Sequence, residues 1–324
     1  MKYKSLTAAI TYVFCLCGLN AQTNVSVAKY HGNCKAAVSY TFDDGLLEHY
    51  TKVFPEFKKR NIKGSFCIIG SKVGHDMKGT PCMNWEQLRE MADDGQEITN
   101  HGWAHRNVTN LTADELRYEV QHNDTAIYNN VGVFPRTYFY PGNRKTDTAV
   151  EFCSQDRTGT RTFQISIGSK RDTEWLKKWI DGIISHGEWG IGMTHGITTG
   201  YDAFTDPSIL WNHIDYACSR RDSLWIAPLH DVSAYIQERD NIKLKVRTKG
   251  NITEIAMQTG LDPKIFNVPL TMTVCGNSNE DTPGNIVASQ DGVKLNIYRK
   301  ERDLMFDFNP NGGKITIIHQ YNLK

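Results

Sequence analysis

The sequence predicts an α/β protein built on a parallel sheet of seven strands, followed by a small all-β, sandwich-like domain. Between residues 35 and 239, short apolar runs alternate with amphipathic stretches, which is the pattern of repeated strand and helix units around a parallel sheet. Beyond residue 239, apolar and polar residues alternate in short runs that Gly and Pro interrupt, as is typical of antiparallel strands. The length of 324 residues leaves room for both parts.

Several helix starts can be located between the apolar runs. Asn84 with Gln87, and Thr112 with Glu115, have the spacing of a capping box, whereas Pro55 does not fit the helical pattern around it. The predicted strands of the parallel sheet are 36–42, 64–69, 97–100, 137–140, 160–167, 190–194 and 224–229. The predicted helices are 46–60, 87–92, 113–129, 175–184 and 209–218. The runs expected to form the β domain are 242–246, 252–256, 270–274, 293–298, 305–308 and 315–318.

The first residues have the features of an export signal. Lys2 and Lys4 form a basic start, residues 6–19 are mostly apolar, and Leu19-Asn20-Ala21 suits a cleavage site. We therefore expect a signal peptide at 1–21, a barrel domain at 22–239 and an accessory β domain at 240–324. No other segment approaches the ~20 apolar residues of a membrane span.

Charge and cysteine content exclude some classes of protein. Without residues 1–21, Lys plus Arg falls from 37 to 35 against 36 Asp plus Glu, so the remaining chain has a net charge of −1. This balance gives no electrostatic reason to expect a nucleic acid or an anionic surface as a partner. Six of the eight cysteines follow this segment, and their spacing shows neither a disulfide framework nor metal-binding CxxC pairs. We expect them to be buried or singly bridged.

Chemically reactive residues directly follow several of the predicted strands. Asp43 and Asp44 follow the first strand, His101 the third, Gly142 the fourth and His195 the sixth. Because the carboxyl ends of parallel strands open onto one mouth of a barrel, these residues are expected to converge.

A metal site is predicted from three of the residues at this mouth. His101 and His105 are four residues apart, a spacing that places two imidazoles on one face of a helical turn. The pair alone is equally typical of solvated surface histidines, but Asp44 completes a His₂-carboxylate set of the kind that holds catalytic zinc. Cobalt and nickel fit the same ligands.

The second aspartate of the pair is then available for acid–base chemistry. A cation on Asp44 neutralises that charge, so Asp43 can stay ionised beside it. A metal lowers the pKa of water toward ~7, and a nearby carboxylate can take the proton as the water attacks a carbonyl carbon. His195 is a candidate general acid, and the N–H of Gly142 is a candidate donor to a developing oxyanion.

Each of these motifs also has an ordinary structural explanation. The Asp pair with Gly45 could be a turn after a strand, His195 a core or loop residue, and Pro141-Gly142 a simple turn. Trp103 either stacks on a sugar ring or packs under its loop. The joint occurrence of the motifs favours a hydrolytic site.

These residues, in this order, resemble the polysaccharide deacetylase family, carbohydrate esterase family four, over roughly residues 35–239. Thr41-Phe42-Asp43-Asp44-Gly45 matches the first family motif nearly letter for letter. His101 and His105 match the second, although Arg106 stands where proline is usual. The resemblance implies a distorted (β/α)₇ barrel, Asp43 as catalytic base, and Asp44 and the two histidines as ligands of one divalent metal.

The remaining motifs are less regular. His195 stands where the family has its general acid, with Met193 lining the acetyl pocket, and Tyr140 and Gly142 are expected on the substrate side. The third family motif usually carries an arginine that pairs with the catalytic aspartate, but Phe139 occupies that position. Loss of this partner should raise the pKa of Asp43, and we hypothesise that Arg161 reaches in as a substitute. The fourth motif, an Asp-Trp pair, is not found.

The resemblance implies a secreted or periplasmic, bacterial hydrolase that removes acetyl groups from an N-acetylated glycan. Two alternatives stay open: an O-acetyl esterase of the xylan type with the same site, and a non-catalytic carbohydrate-binding homologue. The intact metal ligands disfavour the second alternative. The β domain also contains no tryptophan for stacking on sugars, since all seven precede residue 226.

Overall fold

The computed structural model describes residues 24–275, 285–300 and 303–320, apart from the side chain of Cys275. The predicted signal peptide lies outside these ranges and stays a prediction. In chain order, the strands are β1 (Asn24–Val27), β2 (Ala36–Phe42), β3 (Ser65–Ile68), β4 (Asp76–Met77), β5 (Thr80–Pro81), β6 (Glu97–Asn100), β7 (Thr137–Phe139), β8 (Gly159–Arg161), β9 (Ile165–Ser166), β10 (Trp189–Thr194), β11 (Leu224–Ile226), β12 (Lys243–Lys249), β13 (Ile252–Gln258), β14 (Leu270–Cys275), β15 (Ile286–Gln290), β16 (Val293–Lys294), β17 (Tyr298–Lys300), β18 (Asp303–Phe308) and β19 (Ile315–His319). The helices are α1 (Phe54–Arg60), α2 (Trp85–Asp93), α3 (Ala113–Arg117), α4 (Asn123–Val131), α5 (Asp147–Cys153), α6 (Thr173–His186), α7 (Ser208–Ser219) and α8 (Leu229–Asn241).

The predicted α/β architecture is confirmed. A parallel sheet in the order β8-β7-β6-β3-β2-β10-β9, with β11 also paired to β2, curls into a half-barrel. The sheet has eight strands because the fifth predicted run, 160–167, divides into β8 and β9. The central strand β2 is buried along its whole length, as a strand covered on both faces must be.

Both predicted capping boxes are present, at the starts of α2 and α3. The helical segment that contains Pro55 includes a π-helical turn, His49–Val53, directly before α1. Pro55 therefore falls in the first turn of α1, directly after the π-helical turn. A second π-helical turn, Tyr118–His122, joins α3 to α4. The sequence did not predict α5 or α8.

The chain after α8 forms two antiparallel sheets. One has the order β12-β13-β19-β15-β16 and the other β1-β14-β18-β17, and apolar residues of both share one core. This arrangement agrees with the predicted β domain. The sheets also include β1, which pairs with β14 in the register Asn24↔Cys275. The predicted boundary between residues 239 and 240 stays a prediction, but residues 24–27 lie in a sheet of the C-terminal part.

Helix α8 packs the two parts of the chain together. The Tyr235 side chain is fully buried in the core of the β domain, and its hydroxyl donates to the Ala28 carbonyl at 3.0 Å. Val232, on the same helix, packs among residues of the half-barrel. In the described part of the chain, five cysteines are free thiols, and no helix is both long enough and apolar enough to cross a membrane.

Candidate active site

The mouth of the half-barrel contains a cavity of about 560 Å³. The polar residues that line it leave the carboxyl ends of neighbouring strands, as expected for a parallel barrel. The sequence-predicted residues in its lining are Asp43, Asp44, His101, His105, Gly142, Met193 and His195. The convergence predicted from the positions of these residues along the chain is therefore present in the structure.

The backbone turns sharply at two of the predicted metal ligands. Asp44 has φ +77° and His105 has φ +56°, a region that side-chain-bearing residues rarely occupy and that is common at functional sites. The sequence analysis placed His101 and His105 on one helical turn, and this is wrong. The segment is a loop, and the left-handed conformations of Gly102 (φ +79°) and His105 bring the two imidazoles together.

Asp44, His101 and His105 form a compact cluster. The Nε2 atoms of His101 and His105 lie 3.5 and 3.6 Å from Asp44 Oδ1, and one ligand atom of each residue lies within 4.8 Å of the others. Asp44 Oδ1 is buried without a hydrogen-bond partner. A buried carboxylate oxygen without a donor is unfavourable, so this donor set fits a divalent cation.

The surroundings of the two histidines favour binding through Nε2. His101 Nδ1 lies 2.7 Å from the Phe139 carbonyl oxygen, and this contact fixes Nδ1 as the protonated nitrogen and leaves the Nε2 lone pair free. Burial and the neighbouring His101 lower the pKa of His105 to about 4. His105 is therefore neutral near pH 7, as a metal ligand must be.

Asp43 does not join the cluster in the same way, because a buried arginine holds both of its oxygens. Arg161 NH1 and NH2 donate to Asp43 Oδ1 and Oδ2, each at 2.6 Å, and NH1 also donates to Thr41 Oγ1 at 2.9 Å. Burial alone would raise the pKa of Asp43, but Arg161 outweighs it and holds that pKa well below its usual value. The rise in the pKa of Asp43 expected from the loss of the family arginine is therefore wrong.

The register of the sheet explains how Arg161 can take this place. Phe139 on β7 and Arg161 on β8 are direct partners in the parallel pair, so the guanidinium comes from the same level of the sheet, one strand further along. The guanidinium lies over the Phe139 ring, 4.2 Å from its centroid, a favourable cation–π geometry. Arg161 is only 1% exposed, so it supports Asp43 from beneath and does not line the cavity.

His195 lies across the cavity from the cluster. Its Nε2 is 3.9 Å from Asp43 Oδ2, its side chain is 13% exposed, and its buried Nδ1 has no partner. The backbone carbonyl of His195 lies 2.8 Å from Nε2 of the buried His49, in the π-helical turn. The side chain is thus open to the cavity, while its backbone is fixed from behind.

Two other predicted residues lie away from the cavity lining. The Trp103 ring packs edge-on against His122, 4.2 Å between centroids, and against the backbone at Gly70. Tyr140 is buried, and its hydroxyl donates to Thr160 Oγ1 at 3.0 Å. Neither side chain lines this cavity, and the half-buried Trp103 packs against its loop neighbours; their roles toward a substrate stay predictions.

Sequence reasoning missed several residues of the site. Asn143 Oδ1 accepts from Arg161 NH2 at 3.4 Å, and the buried Cys67 thiol donates to Asp43 Oδ1 at 3.5 Å. Tyr201 and Asp202 line the opposite wall. The position of Asn143 directly after Pro141-Gly142 was a usable signal, whereas nothing near Cys67 or Tyr201 in the sequence marks them.

The family model described as polysaccharide deacetylase matches residues 31–157. The matched segment includes the aspartate pair and the histidine pair, and it ends before Arg161 and His195. The matched segment thus covers five of the seven sequence-predicted residues in the cavity lining, since Gly142 also lies within it.

Curated relatives include two peptidoglycan deacetylases. The peptidoglycan N-acetylmuramic acid deacetylase PdaA of Bacillus subtilis is 32% identical over 125 residues, which are 38% of this chain and 44% of the relative. The peptidoglycan N-acetylglucosamine deacetylase PgdA of Listeria monocytogenes is 26% identical over 101 residues, 31% of this chain and 20% of the relative. The match spans less than half the length of each relative.

A solved structure from Mycobacterium smegmatis, assigned to the polysaccharide deacetylases, is similar with a TM-score of 0.51 at 14% identity. The similarity covers 66% of this chain and 94% of that chain. At this identity, the likeness shows that the two proteins share a fold.

Proposed function

The chain carries a domain of the polysaccharide deacetylase family, and from this premise we propose that it is a metal-dependent hydrolase that removes acetyl groups from an N-acetylated polysaccharide or oligosaccharide. The observation that carries the proposal is the separation of roles between adjacent carboxylates. Asp44 faces two imidazole nitrogens with an unsatisfied oxygen, while Asp43 is held ionised by Arg161.

Asp44, His101 and His105 would hold one divalent cation, for which zinc is the best match and cobalt and nickel are alternatives. When bound there, the cation would polarise the acetyl carbonyl and acidify the attacking water. The unsatisfied Asp44 oxygen and the free Nε2 of His101 support this assignment.

The protein's own residues supply the proton transfers. Asp43 is the base that accepts the proton of the attacking water, because Arg161 keeps it ionised near pH 7. The N–H of Gly142, at the cavity wall, donates to the oxyanion that develops on the acetyl carbonyl. His195, open to the cavity and 3.9 Å from Asp43, protonates the departing amine. Met193 lies where the acetyl methyl group would pack.

Acetate release tests the proposal directly. Purified protein should release acetate from an N-acetylated glycan, lose this activity on treatment with a chelator, and regain it with zinc, cobalt or nickel. Asp44→Asn should lose both the bound metal and the activity. A protein that binds no divalent metal and an Asp44→Asn variant of unchanged activity would contradict the proposal.

The O-acetyl esterase alternative uses the same residues, so the substrate decides between the two reactions. Acetate release from acetylated xylan and from chitin oligomers should be compared under identical conditions. The non-catalytic alternative is less consistent with the site, because sugar binding alone requires neither the buried Arg161–Asp43 pair nor an unsatisfied Asp44 oxygen. Secretion or periplasmic export stays a prediction from residues 1–21.

A further inference from the structure

The loop after His195 is held in one conformation by a carboxylate from the helix that follows the aspartate pair. Glu48 Oε2 accepts the backbone N–H groups of Ile197, Thr198 and Thr199 at 2.9, 2.7 and 3.2 Å. Lys52 pairs with the other oxygen of Glu48 at 2.8 Å. Three successive N–H groups on one carboxylate form an anion-binding nest, so the backbone of the loop is fixed before any ligand arrives.

The far end of the same loop is fixed as well. The Asp202 carboxylate accepts the hydroxyls of Ser166 and Ser169 at 2.9 and 2.7 Å. The N–H of Gly196 donates to the Tyr201 carbonyl at 3.0 Å and closes the loop. A Cβ at Gly196 would lie 1.9 Å from the Thr199 carbonyl oxygen, so only glycine allows this closure.

Tyr201 is the side chain that this loop presents to the cavity. Its ring lies perpendicular to the His195 ring, with 4.9 Å between the centroids and an angle of 89° between the planes. The side chain is nevertheless 71% exposed, and the cavity lining includes it. It is more exposed than any other large apolar or aromatic side chain in the part of the chain that the structure describes.

This exposure is not explained by a mobile loop, because Glu48 and Asp202 anchor both sides of Tyr201. An aromatic ring that is already held rigid beside a cavity loses little conformational entropy when a ligand covers it, so it is well suited to bind an apolar face of a ligand. The axial C–H groups of a pyranose ring form a flat apolar surface of suitable size for such a ring.

We propose that Tyr201 is a specificity-determining residue that receives a sugar ring of the substrate on its open face, so that the protein acts on oligosaccharides or polysaccharides in preference to small acetylated compounds. This inference rests on the proposed function, and it adds the wall of the cavity that recognises the glycan chain. His195 lies beside this ring, so a stacked sugar is held next to the residue that protonates the leaving group.

The test compares Tyr201→Ala and Tyr201→Phe with wild type. The substrates are the acetylated oligosaccharide that the wild type deacetylates and 4-nitrophenyl acetate, which has no sugar ring. For Tyr201→Ala we expect KM for the oligosaccharide to rise about tenfold, and kcat/KM for the oligosaccharide to fall about tenfold more than kcat/KM for the aryl ester. Tyr201→Phe keeps the ring and should behave like wild type. Tyr128→Ala is the matched control, because Tyr128 is 57% exposed on α4.

Three results would overturn the proposal. The first is an unchanged KM for the oligosaccharide in Tyr201→Ala. The second is a loss of kcat in this variant without a change in KM, which would mean that Tyr201 acts through His195. The third is an equal rise in KM in Tyr128→Ala. If the wild type releases no acetate from any glycan, the proposed function fails and Tyr201 is tested by binding. Metal-free wild type should then bind a chitin or xylan oligosaccharide about tenfold more tightly than Tyr201→Ala, and equal or absent binding would overturn the inference.

Discussion

Replacing Arg161 with methionine should separate the support of Asp43 from the stability of the half-barrel. Arg161 makes four charge-assisted hydrogen bonds, two of 2.6 Å to Asp43 and one each of 2.9 and 3.4 Å to Thr41 and Asn143, and its side chain is fully buried. Methionine fills much of the same volume but leaves the Asp43 carboxylate buried without a cation. Breaking a buried pair from one side costs about 3–5 kcal/mol of folding free energy. At pH values where the Asp43 carboxyl of the variant is protonated, the general base is missing, which lowers kcat/KM by about 10²–10⁴.

The sign of the pH effect follows from the pKa of Asp43. Arg161 holds this pKa below its ordinary value, so in wild type the pair stabilises the fold above about pH 4 and this stabilisation is lost as the pH falls. Arg161→Met removes the largest contribution that lowers the pKa of Asp43, while burial, which raises it, remains, so this pKa should be higher than in wild type. The acid limb of the kcat/KM profile for acetate release should therefore move to higher pH, while metal content stays near wild type.

Arg157→Met is the matched control. Arg157 forms a second buried pair with Asp124, with NH2 donating to both carboxylate oxygens at 2.6 Å. Its loss should lower thermal stability to a similar extent and leave the pH profile of the folded enzyme unchanged. If Arg161→Met keeps both full kcat/KM and the wild-type acid limb, the assigned role of Arg161 is wrong. Moving the charge back with Phe139→Arg in the Arg161→Met background should recover part of the activity, because the two residues are register partners.

Three further predictions concern metal binding and stability. His105→Gln should lower the metal content measured by atomic emission at least tenfold, and a stoichiometric metal content would contradict the assigned ligand set. Gly182→Ala should raise the free energy of unfolding by about 1 kcal/mol, because Gly182 lies inside α6 with nothing within 4 Å of an added Cβ. Gly196→Ala should lower the free energy of unfolding. Equal melting temperatures of the two variants would contradict this prediction. Burial raises the pKa of Glu238 to about 7, so the stability contributed by its protonated form is present below about pH 4.5 and lost as the pH rises through 7. Glu238→Gln should accordingly be more stable than wild type by about 1–3 kcal/mol at pH 8 and equal to it near pH 4, and a difference that does not change with pH would contradict this assignment.

The parts of the fold that the sequence predicted are those with a local cause. β2 and β6 have the predicted bounds. For β2 the local cause is a mostly apolar run, whereas only Ile98 of the four buried residues of β6 is apolar. α2 and α3 start where their capping boxes are. The missed helix α8 has no single apolar face, because Leu229, Val232 and Tyr235 pack into three different clusters. A helix buried on several sides lacks the periodicity that identifies one.

The site shows the same division. Asp43, Asp44 and the two histidines could be found because they stand at strand ends and match a known motif. The backbone conformation that brings the two histidines together could not be predicted, because it depends on the left-handed residues Gly102 and His105 and not on helical spacing. Arg161 was found as a hypothesis about a missing charge, but its register with Phe139 depends on strand pairing. Tyr201 depends on the anchors at Glu48 and Asp202, which are far apart in the sequence.

The pairing of β1 with β14 also has a consequence for biosynthesis. Val27 lies opposite Met272, so at ~5–20 residues per second the ribosome makes the partner of β1 roughly 10–50 s after β1 itself. During that interval Val25 and Val27 have no sheet to join, while most of the half-barrel has already been translated. The four-stranded sheet can close only at the end of synthesis. A version of the protein shortened after α8 would leave β1 permanently without its partner strand, and unpaired strands promote aggregation.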